Sequence, residues 1–479
     1  MTRQFQSYID GRWVAGDDLA PDENPSDLSA PVGEAGRVDA ATVREAIAAA
    51  NAAQSSWAAS TPQQRADALD AVGSEILARK QELGALLASE EGKTLPESIA
   101  EAARAGQIFK FFAGEALRIP GETLASTRPG VNVEITREPV GTVGIIAPWN
   151  FPLAIPAWKI APALAYGNTV VFKPAEIVPG CAWALAEILS RAGLPNGAFN
   201  LVLGSGSTVG QALVGERGID ALSFTGSVPT GNRLLKQAAE RGLKIQLEMG
   251  GKNPLVVLAD ADLDLAVEIA VNGSYFSTGQ RCTASSRLIV ERAVHDAFVA
   301  RLRTRLAALK IGHALEAGVD IGPVASASQF EQDRDYLRIA REEGAELLYG
   351  GEALEGAHRG YYLRPALVAA QPQHRIAREE VFGPVAAVLV ADDYEHALAL
   401  ANDTEFGLCA GIATRSLKYA THFKRHAQAG MVMVNLPTAG VDPHVPFGGR
   451  KASSYGPREQ GRYAVEFYTT VKTAYTSAP

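Results

Sequence analysis

Hydrophobic and polar positions follow two different periods along the chain, and the change between them divides the sequence. From residue 40 to 118 apolar positions recur every three or four residues, which predicts several amphipathic helices. From residue 141 onwards short apolar runs alternate with helical stretches, and this order predicts a βαβα series. Such a series folds into a mostly parallel, doubly wound sheet, so the predicted fold class is α/β.

Two strand–helix series follow each other in this second part of the chain. The first contains predicted strands at 141–147, 168–172, 199–203 and 221–224 and predicted helices at 152–166, 179–192, 207–215 and 229–240. The second contains predicted strands at 255–258, 287–291, 385–390 and 430–435 and predicted helices at 262–277 and 293–309. Because 479 residues are too many for one hydrophobic core, we expect two or three domains.

Shorter patterns predict strands outside these series. Residues 8–16 contain an Asp-Gly turn between apolar stretches, which predicts a hairpin. Residues 131–136 alternate strictly between apolar and polar side chains, as a two-sided strand on an edge or an arm does. Thr61-Pro62 and the Pro-Gly pair at 120–121 are expected to interrupt the helices.

Composition and charge narrow the class of protein. The chain is 47% hydrophobic and 20% charged, as soluble globular proteins are, and its net charge of −8 offers no basic surface for nucleic acid. Its three cysteines form no disulfide framework and fit a reducing compartment. We find no apolar signal core and no apolar run long enough for a bilayer, and no metal site is predicted. We therefore expect a cytoplasmic enzyme without a membrane partner.

One of the three cysteines stands in a polar segment. Cys282 lies among hydroxyl, amide and cationic side chains, whereas Cys181 and Cys409 lie in apolar segments of the sequence. The adjacent Arg281 is expected to favour the thiolate, which is the reactive form of cysteine. A buried structural cysteine is the alternative, and the segment alone leaves both interpretations open.

Two glycine-rich segments and one charged pair are candidates for nucleotide binding. Gly204 to Gly210 follows a predicted strand and opens a helix, which suits dinucleotide phosphate, although its GxGxxxG spacing is one residue longer than the usual fingerprint. The segment from Gly226 lies in the same position of the next unit and lacks the residues of a Walker A loop. Lys173 and Glu176 follow a strand end, where they suit ribose hydroxyls. Tight βα turns and a solvated ion pair are the alternatives.

Seven motifs, in order and spacing, resemble those of the aldehyde dehydrogenase superfamily. They are Ala147–Pro152, Phe172–Glu176, Phe224–Ser227, Leu247–Pro254, Gly279–Cys282, Glu380–Pro384 and Pro446–Gly449. The resemblance extends over essentially the whole chain. It implies a Rossmann-type coenzyme domain, an α/β catalytic domain and a small β arm.

The resemblance also implies catalytic roles. Cys282 would attack the aldehyde as a thiolate, and Asn150 with the Cys282 backbone N–H would hold the resulting oxyanion. Glu248 would activate the water that hydrolyses the thioester, a role that disfavours the CoA-acylating branch of the superfamily. A binding protein that has kept the fold without catalysis is the alternative from another class, and the intact Cys282, Glu248 and Asn150 argue against it.

A coenzyme site follows from the same resemblance, with NAD as the expected coenzyme and NADP as the alternative. Its expected contacts are Trp149, Lys173, Glu176, Gly226, Ser227, Glu380 and Phe382. Ser227 and the helix after it would meet the pyrophosphate. Glu380 would hold the nicotinamide ribose, with Phe382 beside the ring.

The implied domain boundaries include an oligomerisation arm. Residues 1–119 and 139–248 would form the coenzyme domain, 249–431 the catalytic domain, and 120–138 with 460–479 the arm. The last strand of the arm is expected near Phe467 to Val471. Because strand edges left unpaired in a monomer pair readily between copies, a homodimer or homotetramer is expected.

The resemblance also indicates a class of aldehyde. The resemblance is strongest to the branch that oxidises short semialdehydes, especially α-ketoglutarate semialdehyde (2,5-dioxopentanoate). The succinate semialdehyde branch places arginines where this chain has Trp158 and Phe276, so Arg281 is expected to anchor the substrate carboxylate instead. The alternative is a neutral aromatic or medium-chain aldehyde in a pocket walled by Trp158, Phe276 and Phe447. Thr283 is a further expected pocket residue.

Overall fold

Helices and strands alternate over most of the chain in the computed structural model, which describes residues 3–477. The helices lie at Ala40–Ala58, Pro62–Ala78, Lys80–Glu91, Leu95–Ala116, Ala154–Ala165, Pro179–Leu189, Gln211–Gly215, Val228–Arg241, Leu263–Tyr275, Arg292–Ala307, Ala327–Glu342, Arg375–Arg378, Tyr394–Asn402, Leu417–His426 and Val465–Tyr468. Shorter helical turns lie at Gly206–Gly210, Phe276–Gly279 and Gly461–Ala464. The first four helices confirm the amphipathic block predicted for residues 40–118.

The start of the second helix shows how local sequence sets these boundaries. Thr61 caps the helix, because its side chain accepts from the Gln64 backbone while the Gln64 side chain accepts from the Thr61 backbone. Pro62 occupies the first helical position, where no backbone N–H is needed. The interruption predicted at Thr61-Pro62 is therefore a helix start.

An eight-stranded sheet forms the first half of the frame. In spatial order its strands are Ser454–Tyr455, Lys244–Glu248, Ala221–Thr225, Thr142–Ile146, Thr169–Lys173, Phe199–Leu201, Ser7–Ile9 and Arg12–Val14. The inner five strands are parallel, and the outer ones pair antiparallel. Strand order reverses beside Thr142–Ile146, and in such sheets ligands bind in the crevice at that point.

Both faces of this sheet are buried, as the apolar runs predicted. In the strand Thr169–Lys173, Val170 and Phe172 join the cluster that holds the helices of residues 62–116. Val171 points the other way and joins the cluster around helix Ala40–Ala58. Since successive side chains of a strand face opposite sides, a strand buried on both faces has no polar alternation.

A seven-stranded sheet forms the second half of the frame. In spatial order its strands are Glu346–Tyr349, Ala366–Ala369, Val385–Ala391, Ser285–Glu291, Asn253–Val257, Cys409–Ala413 and Met431–Val434. All pair in parallel except the first, which is an antiparallel edge. Helices Leu263–Tyr275 and Arg292–Ala307 pack on one face through a shared apolar cluster. The predicted α/β class with mostly parallel sheets is confirmed.

Three smaller sheets complete the structure. Gln4–Phe5, Gly33–Arg37 and Asp18–Asp22 form one, and Phe406–Gly407 pairs with Arg450–Lys451 in another. Thr469–Ser477, Val131–Pro139 and Glu122–Ala125 form an antiparallel sheet that we call the arm. Among the described residues, no helix is both long and apolar enough to cross a membrane.

The start of the last strand differs from the prediction. Phe467 and Tyr468 were expected in the strand, yet they lie in the helix Val465–Tyr468, and the strand begins at Thr469. Both aromatic side chains are buried in the large core cluster, so tertiary packing overrides their strand propensity. The domain boundaries stay a prediction, and residues 1–2 and 478–479 within them lie outside the described part of the chain.

Candidate active site

Cys282 lies on a strained turn between a helix and a strand. Helix Leu263–Tyr275 ends in a short turn in which Ser277 and Thr278 adopt left-handed backbone angles, with φ of 50° and 55°. Such angles are unfavourable for residues with side chains and recur at functional sites. Asn253 fixes the far side of the turn, because its Nδ2 donates to the carbonyl oxygens of Cys282 at 2.8 Å and Ala284 at 2.9 Å.

Asn150 reaches the same turn from the eight-stranded sheet. Its side-chain Nδ2 donates to the carbonyl oxygen of Gln280 at 2.9 Å, and its own carbonyl oxygen accepts from Lys93 Nζ at 2.7 Å. Lys93 is itself paired with Glu101 at 2.6 Å, and both side chains are buried. Since an amide nitrogen carries two hydrogens, Asn150 keeps one N–H for an oxygen beside Cys282.

Glu248 ends the strand Lys244–Glu248 and is almost fully buried. Its Oε2 accepts from Ser454 Oγ at 2.6 Å. Burial and the neighbouring Glu459 raise the pKa of Glu248 well above the usual range, while Ser454, Lys159 and Arg458 oppose this shift. A raised pKa makes the ionised carboxylate a stronger proton acceptor, as a general base requires.

The electropositive setting expected for Cys282 is absent from the structure. The thiol is half-buried, and burial, together with Glu380 and Glu248, raises its pKa to about 12. Arg281 does not offset this, because its guanidinium is engaged elsewhere: it donates to Glu97 Oε1 at 3.1 Å and Asn272 O at 3.2 Å. The prediction that Arg281 favours the thiolate is therefore wrong, since desolvation and two carboxylates outweigh a cation that is already paired.

A cavity of about 440 Å³ opens onto Cys282. Its lining includes the predicted pocket residues Trp158, Arg281, Thr283 and Phe447. The Trp158 and Phe447 rings lie 5.4 Å apart, and Trp158 Nε1 donates to Glu459 at 2.6 Å. These contacts fix the orientation of the aromatic wall.

Phe276 does not belong to that wall. It packs against the apolar cluster of helix Leu263–Tyr275 and is not among the residues that line the cavity. The left-handed residues Ser277 and Thr278 follow it and redirect the chain before Cys282. The expectation that Phe276 forms a pocket wall is therefore wrong, because its side chain packs against this apolar cluster instead.

The carboxyl ends of the parallel strands carry the predicted coenzyme residues. Lys173 is buried at the end of its strand, and burial lowers its pKa to about 8. Glu176 Oε1 accepts from the Gly206 backbone N–H at 2.9 Å, and its other oxygen lies 3.6 Å from Arg37. The charged pair thus lies beside the first glycine segment, at the strand end where ribose binding was predicted.

The second glycine segment opens directly into a helix. Gly226 donates its backbone N–H to the carbonyl oxygen of Glu248 at 3.0 Å, which links this loop to the strand beside it. A Cβ atom at Gly226 would collide with the Phe224 ring. Ser227 begins the 14-residue helix Val228–Arg241 and makes no side-chain cap, so the first helical N–H groups remain available to an anion.

Glu380 and Phe382 approach the site from the seven-stranded half. Glu380 Oε1 accepts from the Gly251 backbone N–H at 2.8 Å, and burial raises the Glu380 pKa to about 7. The Phe382 ring meets Trp149 edge-on at 5.4 Å, from a backbone with φ of 64°. The Trp149–Phe382 contact therefore joins the two halves of the molecule beside these residues.

Several residues of the site were not found from the sequence. Some of them line the cavity and others contact its catalytic side chains or the Cys282 turn: Lys93, Glu101, Arg104, Asn253 and Ser454. Asn253 lies within one of the seven motifs, so its place beside Glu248 in the sequence was an available signal. Ser454 follows the last motif by five residues, whereas Lys93, Glu101 and Arg104 lie far from every motif, and their positions are visible only in the fold.

Comparison with known proteins gives a consistent result over nearly the whole chain. The sequence model of the aldehyde dehydrogenase family matches residues 13–474. An α-ketoglutaric semialdehyde dehydrogenase of Bacillus subtilis is 43% identical and covers 98% of each chain. A 2,5-dioxopentanoate dehydrogenase of Saccharolobus solfataricus is 40% identical and covers 99% of each chain. A crystal structure of betaine aldehyde dehydrogenase from Staphylococcus aureus with NAD⁺ has a TM-score of 0.96 at 35% identity, over 98% of this chain and 95% of that one.

Proposed function

The chain belongs to the aldehyde dehydrogenase family, and from this premise we propose that it oxidises 2,5-dioxopentanoate, a short semialdehyde, to its dicarboxylate with NAD. The observation that carries the proposal is the cavity at Cys282, which combines an apolar wall with cationic side chains. A short chain with an aldehyde at one end and a carboxylate at the other matches that combination. The names of the two semialdehyde-oxidising relatives support the same substrate.

The proposed chemistry begins at Cys282. The Cys282 thiol first loses its proton to solvent. The resulting thiolate adds to the aldehyde carbon, and the carbonyl oxygen becomes an oxyanion that Asn150 Nδ2 and the Cys282 backbone N–H stabilise. Removing one such donor typically costs about 3–4 kcal/mol of transition-state stabilisation. Loss of hydride from the carbon leaves a thioester on Cys282.

Hydrolysis of that thioester is assigned to Glu248. The carboxylate removes a proton from a water molecule, the water oxygen bonds to the acyl carbon, and the Cys282 sulfur leaves as thiolate. The burial of Glu248 and its hydrogen bond with Ser454 support this role, because both fix the base in one position. Glu248 then releases to solvent the proton that it took from water, and the carboxylic acid product loses its own proton to solvent as well.

The crevice residues fit a nicotinamide dinucleotide. The uncapped start of helix Val228–Arg241 suits the pyrophosphate, and Lys173 with Glu176 suits ribose hydroxyls. Glu380 and the Trp149–Phe382 pair lie on the other side, where we assign the nicotinamide riboside. When bound, NAD accepts the hydride that leaves the substrate carbon. NADP is the alternative coenzyme.

A second candidate substrate class has its own observation. The cavity has a largely apolar surface, which also suits an aromatic or medium-chain aldehyde; it is formed by Phe151, Ile155, Trp158 and Phe447.

We further propose a homodimer or homotetramer formed through the arm. The three cysteines are all free, which supports the prediction of a reducing, cytoplasmic compartment.

A substrate panel tests the proposal. We expect the highest kcat/KM for NADH formation with 2,5-dioxopentanoate, compared with succinate semialdehyde, benzaldehyde, hexanal and betaine aldehyde. The Cys282→Ala variant serves as the control and should fall below about a thousandth of the wild-type rate on every aldehyde. A higher kcat/KM for benzaldehyde or hexanal would replace the semialdehyde with the second candidate. Residual activity of Cys282→Ala above that level would contradict the nucleophile.

A further inference from the structure

Three cationic side chains line the cavity at Cys282, and two of them already have anionic partners. Lys93 pairs with Glu101 at 2.6 Å and also donates to the Asn150 carbonyl oxygen. Arg281 pairs with Glu97 at 3.1 Å. Both cations are therefore neutralised by the protein itself, and a substrate anion would have to compete with a carboxylate that is already in place.

Arg104 is the third cation, and its surroundings are different. One terminal nitrogen donates to the side-chain oxygen of Gln460 at 3.1 Å, and its Nε is buried without an acceptor. Over residues 3–477 no carboxylate lies within ion-pair distance of this guanidinium, whereas the Lys93 ammonium and the Arg281 guanidinium each have one. Gln460 Nε2 is likewise buried without an acceptor. This corner of the structure thus holds two donors that lack an acceptor.

The fold holds Arg104 in place at the cavity. It projects from helix Leu95–Ala116, and its guanidinium lies 5.9 Å from the centroid of the Trp158 ring. Gln460 is fully buried and has a left-handed backbone with φ of 59°, so its acceptor is rigidly placed. A half-buried, oriented guanidinium that has only a neutral partner is well prepared to bind a carboxylate, which it can meet with two parallel N–H groups.

The remaining charged groups near Arg104 are acidic. Glu101 is engaged by Lys93 and by the backbone N–H groups of Leu153 and Ala154. Asp442 lines the cavity from an exposed loop and acts on Arg104 only at a distance. Asp442 repels a bound anion, so a carboxylate has to contact the guanidinium directly to be held here.

We propose that Arg104 binds the distal carboxylate of the semialdehyde and so presents the aldehyde carbon to Cys282. The inference rests on the proposed function and assigns to Arg104 the role that the sequence suggested for Arg281. Arg281 instead acts as a positioning residue, because its contacts with Glu97 and Ser277 hold the turn before Cys282.

Paired substrates of equal length test this assignment. Arg104→Met should lower kcat/KM for 2,5-dioxopentanoate by about ten- to a hundredfold, the usual effect of losing a hydrogen bond to a charged group, with most of the loss in KM. It should change kcat/KM for pentanal, which has five carbons and no carboxylate, by less than about threefold. Arg104→Lys should restore part of the loss. Arg281→Met is the matched control and should affect both aldehydes alike.

Inhibition by the product provides a readout that does not depend on turnover of the semialdehyde. With pentanal as substrate, 2-oxoglutarate should inhibit the wild type competitively, and Arg104→Met should raise its inhibition constant by about ten- to a hundredfold. Equal losses on both aldehydes, or an unchanged inhibition constant, would overturn the role of Arg104. If wild-type enzyme instead prefers pentanal to 2,5-dioxopentanoate, the proposed function itself fails, and the two failures are thus distinguished.

Discussion

Buried carboxylates determine the electrostatics around Cys282. Glu248 lies near Glu459, and burial and this neighbouring charge raise the pKa of Glu248. Ser454 works in the opposite direction, because its hydroxyl donates to Glu248 and stabilises the charged form. The fraction of Glu248 that can act as a base therefore increases with pH across its raised pKa. Thioester hydrolysis should follow the same dependence.

Substitution of Glu248 by Gln should separate the two chemical stages. The variant retains Cys282 and Asn150, so rapid mixing should still show a burst of NADH. The steady rate should fall by about 10²–10⁴-fold, because the general base is lost.

Ser454→Ala keeps the base but removes the hydrogen bond that lowers the pKa of Glu248, so the rising limb of the pH–rate profile of this variant should move to higher pH. A steady rate of Glu248→Gln equal to wild type would contradict the assignment, as would a Ser454→Ala profile shifted to lower pH.

For individual residues, the sequence identified the reactive groups but not the side chains that surround them. Cys282, Asn150 and Glu248 were found because their motifs are local in sequence. The ion pair of Arg281 with Glu97 joins residues 184 positions apart. Neither the loss of Arg281 as a free cation nor the availability of Arg104 can be deduced from neighbouring residues. Both depend on which cations are paired with carboxylates from distant parts of the chain.

Strand ends and helix starts build the proposed coenzyme site. Helix Val228–Arg241 starts where its strand ends, and Glu176 follows the strand Thr169–Lys173. Glu176 is held by the Gly206 backbone and lies near Arg37. A carboxylate in this position accepts from a free ribose hydroxyl and repels a phosphate on the same oxygen. We therefore expect the position of the Glu176 carboxylate to favour binding of NAD over NADP.

Replacing Glu176 by Ser should shift the coenzyme preference. The change removes the repulsion and releases Arg37 from Glu176, so that Arg37, which also lies 3.5 Å from Asp18, can meet a 2′-phosphate. The ratio of kcat/KM for NADP to that for NAD should therefore rise about tenfold or more. The double variant Glu176→Ser/Arg37→Met is the matched control and should lose most of that gain. If unmodified enzyme already uses NADP as well as NAD, the role given to Glu176 is wrong.

Helices and strands were predictable where the hydrophobic pattern of the sequence alone determined them. The doubly buried strands such as Thr169–Lys173 have continuous apolar runs, and the first four helices have a clear apolar period. The segment around Phe467 has strand-like residues yet is helical, because two aromatic side chains fill a core that distant elements supply. Local propensity fails where such packing is the larger contribution.

The whole molecule brings its two sheets together at the site. Glu248 ends a strand of the eight-stranded sheet, and Asn253, five residues later, begins a strand of the seven-stranded sheet. Cys282 precedes the neighbouring strand of the second sheet, so base and nucleophile come from different halves of the frame. This arrangement followed from the resemblance and not from the periodicity, which gives no information on how two sheets are placed.

The arm is the part of the molecule best suited to join copies of the chain. Val471 and Tyr475 lie on its terminal strand Thr469–Ser477 and are 58% and 61% exposed, and Leu124 on the opposite edge strand is 48% exposed. Large apolar side chains in this number on one small sheet are typical of a surface that another protein covers. The two outer strands also present unpaired backbone groups.

Charged substitutions on the arm should therefore dissociate the oligomer. Val471→Asp with Tyr475→Glu removes two apolar side chains from the expected interface, and each buried apolar side chain contributes about 2 kcal/mol, or roughly thirtyfold in the dissociation constant. Light scattering after gel filtration should show a monomer for this variant and a dimer or tetramer for the wild type. Leu417→Glu is the control, because Leu417 is 81% exposed and lies away from the arm, so its mass should not change. A wild-type mass of one chain would refute the proposed assembly, and an unchanged oligomer in the arm variant would place the interface elsewhere.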